Sequence, residues 1–375
     1  MKLPPHQLIT TSQEWQEGLE KLQAEPRLAI DLEANSMHAY REQVCLIQIS
    51  IPQQDYIIDP LAKLDLSRLG SLIADPAVEK VFHAAEYDLT LVKRQYGWEL
   101  NNLFDTMWAA RILGYPRYGL AHLLKRLYNV RLNKRFQKSN WCKRPLSPAH
   151  LTYAQLDTHY LLQLRDQLDS ELKAAGRQRE AQEIFKEQTR VKLSDNNFDP
   201  EDFWSISGAY DLNRQQQALL RELTIYRDQV AHRRDQPLFK IFSDRTLLEL
   251  AQAAPNQLEQ LRQIHGMSNG QIQRYGQRLL QVIDSGKQAA PPSYPKRSKR
   301  PPEPVSNRYE KLHNWRKSRA QARGVESDVI ISRDALWKIA EANPQTIDEL
   351  AQIDFVGIWR SQLYGEEMLD VLHRA

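Results

Sequence analysis

The chain is poor in cysteine, with only Cys45 and Cys142 in 375 residues. Two thiols make no disulfide framework, which sets aside the small secreted scaffolds that depend on one. They fit a reducing cytosol, and both are expected to be small core or ordinary side chains. Long hydrophobic runs are also missing. None approaches the roughly 20 residues that a membrane span needs, so no membrane partner is expected. The start, Met1-Lys2-Leu3-Pro4-Pro5, has no apolar core of the kind a signal peptide carries. A cytoplasmic protein is the expectation. Nor is there a strong excess of one charge: 51 Lys+Arg against 47 Asp+Glu leave a net charge of +4. That balance permits a nucleic-acid partner without demanding one. What is present is ordinary for a soluble globular protein, with 41% hydrophobic and 26% charged residues. The length allows two or three domains.

The first half reads as α/β. Leu28–Leu32, Val44–Ile49, Asp55–Asp59 and Lys80–His83 have the apolar, β-branched character of strands. From Glu86 the pattern turns helical, with Leu89, Val92 and Tyr96, then Met107, Ala110 and Leu113 at helical spacing. Ser147-Pro148 opens a helix, Ser as N-cap and Pro at the first turn, and that helix is expected to run to about Gly176. Asp195-Asn196-Asn197 reads as a loop, and beyond Asp211 every strong segment is helical.

The helical part repeats. Shifted by 89 positions, Arg227 falls on Arg316, Ser243 on Ser332, Leu247 on Leu336, Pro255 on Pro344 and Tyr275-Gly276 on Tyr364-Gly365. The matches fall together on helix starts, apolar stripes and a Tyr-Gly pair, so two copies of one small all-helical domain are expected. Between them, Ala289 to Pro295 and Lys296 to Pro302 make a Pro-rich, basic, extended linker.

The chemistry is in four acids and a tyrosine. Side chains on a strand alternate faces, so Asp31 and Glu33 point the same way while Ile30 and Leu32 enter the core. Paired carboxylates repel unless a cation binds between them, and oxygen ligands suit Mg²⁺ or Mn²⁺. Tyr153 and Asp157, four apart on a helix, share a face. Asp157 can bind metal while the phenol orients a water. Asp88 follows the strand end at Phe82-His83 and begins a helix. Each feature alone has a plainer reading: a solvated strand end, a surface Tyr with an exposed Asp, a first-turn acid facing the helix dipole. Together, Asp31, Glu33, Asp88, Tyr153 and Asp157 read as a two-metal phosphodiesterase site.

That order of residues resembles the DEDD 3′–5′ exonucleases in their tyrosine-bearing branch. Cys45-Leu46-Ile47-Gln48-Ile49, Ile58-Asp59-Pro60-Leu61, His83-Ala84-Ala85, Phe104-Asp105-Thr106 and Trp141-Cys142-Lys143-Arg144-Pro145-Leu146 are similar to the ribonuclease D family. The duplicated helical unit resembles the HRDC domain. The resemblance implies a ribonuclease H-like α/β exonuclease domain, a mixed central sheet flanked by helices, followed by two all-α HRDC domains. The expected boundaries are 1–194 for the exonuclease domain, 195–209 for a connecting segment, 210–288 and 306–375 for the HRDC copies, and 289–305 for the linker.

The resemblance further implies two divalent ions, Mg²⁺ or Mn²⁺, and hydrolysis of RNA from the 3′ end to nucleoside 5′-monophosphates. It implies tRNA precursors as substrate; a monomer with no obligate protein partner is the expectation. A DNA exonuclease of the same fold and a catalytically silent nucleic-acid scaffold are the rivals. The first motif departs from the family's Asp-Thr-Glu-Phe at Leu32 and Ala34, and Asn140 stands where Asp often precedes the Trp.

Arg131 to Arg144 holds six basic residues and no acid, with Phe136 and Trp141 interleaved. Cations neutralise phosphates and aromatics stack bases, so a single-strand track is expected here; a solvated loop around a packed Trp is the alternative. Lys134, Trp141 and Arg144, with His83, are the expected substrate contacts. In the helical copies, Arg227, Arg233, Arg234, Arg316, Lys317, Arg319 and Arg323 form basic clusters, suited to RNA or simply to a solvated face.

Overall fold

The structure is a computed structural model and describes residues 3–193, 197–296 and 300–373. The loop expected at Asp195-Asn196 and the Arg297-Ser298-Lys299 part of the linker lie outside the described residues. The chain divides into two compact units, one drawn from residues 1–34, 44–193 and 300–375, the other from 35–43 and 194–299.

In the first unit a six-stranded sheet is built from β1 (His6–Ile9), β2 (Arg27–Ala34), β3 (Val44–Ile51), β4 (Gln54–Ile58), β5 (Glu79–Phe82) and β6 (Leu103–Asp105). Its order is β1-β4-β3-β2-β5-β6. The β2–β3 and β3–β4 pairs are antiparallel, and β1–β4, β2–β5 and β5–β6 are parallel. This is the mixed sheet expected. The four strands legible in the sequence are its centre, β2 to β5. The edge strands β1 (His6–Ile9) and β6 (Leu103–Asp105) are not singled out as strands in the sequence.

Among the described residues this part carries the α-helices α1 (Ser12–Gln23), α2 (Ser67–Ala74), α3 (Glu86–Tyr96), α4 (Thr106–Ile112), α5 (Leu120–Tyr128), α6 (Pro148–His159), α7 (Leu161–Ala174) and α8 (Gln178–Gln188). Ser147 caps α6, accepting from the His150 amide, with Pro148 in the first turn. The single helix expected to Gly176 is broken at Tyr160, which ends α6 and begins α7. Both pieces carry apolar residues at helical spacing, Leu151 and Ala154 in α6 and Leu161, Leu164 and Leu168 in α7, so the apolar pattern runs through the break unmarked.

The helical repeat is present in full. The first copy is α9 (Arg214–Arg234), α10 (Leu238–Ile241), α11 (Asp244–Ala253), α12 (Leu258–Leu261) and α13 (Asn269–Gln288). The second is α14 (Glu303–Arg323), α15 (Ser327–Ile330), α16 (Arg333–Ala342), α17 (Ile347–Ala351) and α18 (Ile358–His373). Ser243 and Ser332 cap equivalent helices. Arg227 donates to the Phe242 carbonyl and Arg316 to the Ile331 carbonyl. Both arginines are therefore buried fasteners within their copies, and the basic-cluster reading does not hold for them.

The second copy packs on the exonuclease part within the same unit. Arg323 forms an ion pair with Glu180 of α8, whose side chain is 0% exposed. Arg111 of α4 bonds to Glu326 and Asp328, and the Trp359 amide donates to Glu183. Arg360 reaches Glu187. In the other unit, Tyr40 donates from its hydroxyl to Asp228, and its amide donates to Asp235.

Candidate active site

β2 places Asp31 and Glu33 on one face, with Ile30 and Leu32 buried on the other. α6 lies across β2, β3 and β4 and brings Asp157 over the pair. One carboxylate oxygen each from Asp31, Glu33 and Asp157 fall within 4.8 Å of one another. Asp88, in the first turn of α3, is buried close enough that its charge raises the pKa of Glu33. Tyr153 is one turn before Asp157 on α6, half-buried, its ring 5.7 Å from that of Trp141.

The electrostatics follow from this crowding. Burial pushes Asp31 up to about 7. Burial, then the charges of Asp31, Asp157 and Asp88, push Glu33 up to about 10. Asp88 and Asp157 are raised well above the carboxylate range by burial and by Asp31. Burial and Asp157 also keep the Tyr153 phenol protonated. Four acids that cannot all ionise together are the donor set a hard divalent cation satisfies, since its charge replaces the protons. Asp31, Glu33, Asp88 and Asp157 could hold such ions.

Asp105 is the fixed point behind Asp88. Its carboxylate accepts from the amides of Ala84, Ala85, Met107 and Trp108, locking the turn that launches α3. Ala84 has a φ of 66°, a left-handed conformation costly for alanine unless its surroundings hold it. Asp105 belongs to the Phe104-Asp105-Thr106 signature, yet its neighbours in sequence gave no sign of what it binds.

His83 lies beside this turn. Burial lowers its pKa to about 4, so the ring is neutral. The Thr106 hydroxyl donates to the Phe82 carbonyl, so it must accept from His83 Nδ1, 2.9 Å away. Nε2 is then left as an acceptor.

Lys134 is exposed in the turn Lys134–Phe136. Next to it a cavity of about 340 Å³ is lined by Leu132, Asn133, Phe136, Thr152, Tyr153 and Asp157, among others. Trp141 and Arg144 do not have the part expected. Trp141 is 1% exposed, packed with Leu46, Ile57 and Ala154, so no base can stack on it. Arg144 is tied bidentately to Asp59 and to the carbonyls of Cys45 and Trp141, leaving little for a phosphate. The cysteines are corrected too: Cys45 and Cys142, 97 residues apart in sequence, are joined in a disulfide. The fold sets the start of β3 against the segment before α6, a proximity that spacing in sequence hides.

A family model described as "3'-5' exonuclease" matches residues 6–173, and one described as "HRDC domain" matches 216–283 and 306–372. The chain is 30% identical to a ribonuclease D of Acidiphilium cryptum, covering 98% of this chain and 93% of that one. It is 33% identical over 66% of its length to the exosome complex exonuclease RRP6 of Saccharomyces cerevisiae, of which it spans 36%. Among solved structures it resembles Escherichia coli RNase D, described as an exoribonuclease involved in structured RNA processing. There the TM-score is 0.66 and the identity 25%, over 98% of this chain and 99% of that one.

Proposed function

The chain belongs to the ribonuclease D family, and from that premise we propose that Asp31, Glu33, Asp88 and Asp157 hold two divalent cations and Tyr153 places the attacking water. The chain is a 3′–5′ exoribonuclease, with an exonuclease domain on a mixed sheet and two helical HRDC domains. What carries the residue assignment is the convergence of three carboxylates from β2 and α6 within 4.8 Å, with a protonated phenol one turn away.

When bound, Mg²⁺ or Mn²⁺ would activate water and stabilise the leaving 3′ oxygen of an in-line displacement. The chain's own residues do the rest. Asp31 and Glu33, fixed on a central strand, set the ligand geometry. Tyr153, kept protonated, donates or accepts one hydrogen bond and orients the nucleophile. His83 Nε2, an acceptor, suits a ribose hydroxyl of the terminal nucleotide. The apolar cavity beside Tyr153 suits a base, and exposed Lys134, next in sequence to the lining residue Asn133, suits a phosphate.

RNA with a free 3′ end is the substrate class. tRNA precursors are the substrate we propose within it, acted on by a monomer. The involvement of the similar E. coli RNase D in structured RNA processing supports that direction. Among the described residues no helix is long and apolar enough to cross a membrane. The test is incubation of the purified chain with 3′-tailed tRNA, an unstructured RNA and matched DNA, each with Mg²⁺, Mn²⁺ or EDTA. Stepwise shortening of RNA from the 3′ end, stopped by EDTA, is expected. Equal shortening of DNA would favour the DNA-exonuclease rival, and no shortening with either metal would favour the silent scaffold.

A further inference from the structure

Gln48 on β3 sits across from Asp31 of β2 on one side and Ile57 of β4 on the other. Cross-strand partners project to the same face, their Cβ atoms about 5 Å apart. Ile57, Gln48 and Asp31 therefore form a row beneath α6. Ile57 packs with Leu46, Trp141 and Ala154, and Asp31 stands at the acidic site. The middle of the row is unaccounted for. Gln48 is 0% exposed, and neither Oε1 nor Nε2 has a hydrogen-bond partner.

Buried amides are almost always matched, because an unmet donor and acceptor cost free energy that leucine or methionine would not. The next residue on the same face of β3 follows that rule: Ser50 donates to Asp55 and bonds to Thr158 of α6. A chain that needed only to fill the space under α6 would be more stable with an apolar residue at position 48. An amide offers one donor end and one acceptor end with no net charge. A Glu in its place would add another negative charge to the site, and a Lys would compete with a cation.

We propose that Gln48 is a positioning residue of the metal centre: its Nε2–H holds the charged carboxylate of Asp31, and its Oε1 accepts from water around the bound cation. This rests on the reading of Asp31 as a ligand. The polar partners that Gln48 lacks are those that a loaded site presents, an ionised carboxylate and polarised water. Groups of this kind, bonded to a ligand rather than to the ion, fix its orientation and raise affinity.

The test uses the full chain with Gln48→Met and Gln48→Leu, titrated with Mn²⁺ by calorimetry, with Tm recorded with and without Mn²⁺. Both variants should fold, with a metal-free Tm at or above that of the wild type. Their Mn²⁺ affinity should fall by about tenfold to a hundredfold, and the Tm gain on adding Mn²⁺ should shrink with it. Affinity within about twofold of the wild type in either folded variant overturns the proposal, since a packing role leaves the metal untouched. Failure of both variants to fold overturns it also, because the amide would then be holding the structure. Asp31→Ala is run beside them and should lose Mn²⁺ binding. Wild-type affinity there would overturn the ligand reading itself and this inference with it, whereas loss there with unchanged affinity at position 48 overturns the inference alone.

Discussion

Glu33 faces the charges of Asp31, Asp157 and Asp88 at once. In the metal-free fold, Asp31 and Glu33 keep protons up to about 7 and about 10 that the unfolded chain releases near its ordinary carboxylate values. The folded state therefore binds more protons across that window, and stability falls as pH rises through it. A cation replaces those protons, so its stabilising effect grows with pH. The metal-free Tm should drop between about pH 5 and pH 9, and the Tm gain on adding Mn²⁺ should widen over the same range. A metal-free Tm that stays level or climbs would count against the crowded-acid description.

Asp31→Asn should leave the metal-free fold intact, remove part of that pH dependence and abolish hydrolysis, since an amide is a poor ligand for a hard cation. Hydrolysis by a folded Asp31→Asn protein at saturating Mg²⁺ would sink the metal-site assignment. Tyr153→Phe should lower kcat by about 10²-fold or more and leave KM nearly unchanged, because the phenol is assigned to the nucleophile and not to the substrate. Steady-state kinetics on one 3′-tailed RNA decide it: a raised KM at unchanged kcat would make Tyr153 a substrate contact. The acids and Tyr153 stood out in the sequence only as a set, since each alone has an ordinary reading. The residues that position them did not. Asp105 and Gln48 announce nothing by spacing: Asp105 accepts from the amides of a turn 20 residues away in sequence, and Gln48 meets Asp31 only across the sheet.

At the scale of the element, α6 matters most. Its sheet-facing side is anchored to Asp55 on β4, which accepts from Ser50 Oγ and Gln155 Nε2 and bonds to His159 Nδ1. Burial works to raise the Asp55 pKa; hydrogen bonds from His159, Gln155 and Ser50 outweigh it and hold the carboxyl low. The same turns of the helix carry Tyr153 and Asp157, interleaved with Gln155 and His159. Asp55→Ala strands several buried donors, each costing about 1–3 kcal/mol, and frees α6 to shift. A fall in Tm together with a fall in kcat is expected, while Asp55→Asn should keep more of both. Activity unchanged in a destabilised Asp55→Ala protein would show that the anchor serves the fold alone.

The same scale explains what the sequence half revealed. The central strands, the Ser147-Pro148 start and the repeat were legible because they repeat a period or carry a cap. The disulfide, the Arg144 clamp on Asp59 and the burial of Trp141 were not. They are meetings of β3, β4 and the segment before α6, and depend on a topology that local pattern does not encode. A basic stretch reads as a track for phosphate until the fold shows that one of its cations is already engaged.

At the scale of the whole molecule, the second HRDC copy is a structural part of the exonuclease unit. Glu180 is fully buried against Arg323 and Arg177, and Val329 of α15 enters the exonuclease core. Removing one partner of a buried ion pair costs about 3–5 kcal/mol. A chain ending at Leu193 should therefore melt well below the full protein, and Arg323→Ala should reproduce part of that loss without any truncation.

RNA contact by the repeats is a separate question, answered by charge and not by deletion. Arg227 and Arg316 are buried, so their replacement should lower Tm and leave the salt dependence of RNA binding alone. Arg233 and Lys317 are exposed, and if they meet phosphate, changing both to Ala should reduce the slope of log affinity against log salt by roughly one to two. The measurement is RNA affinity of the full-length variants across a salt series. An unchanged slope in Arg233→Ala/Lys317→Ala would leave the second copy as a buttress of the exonuclease fold, with no share in holding RNA through these residues.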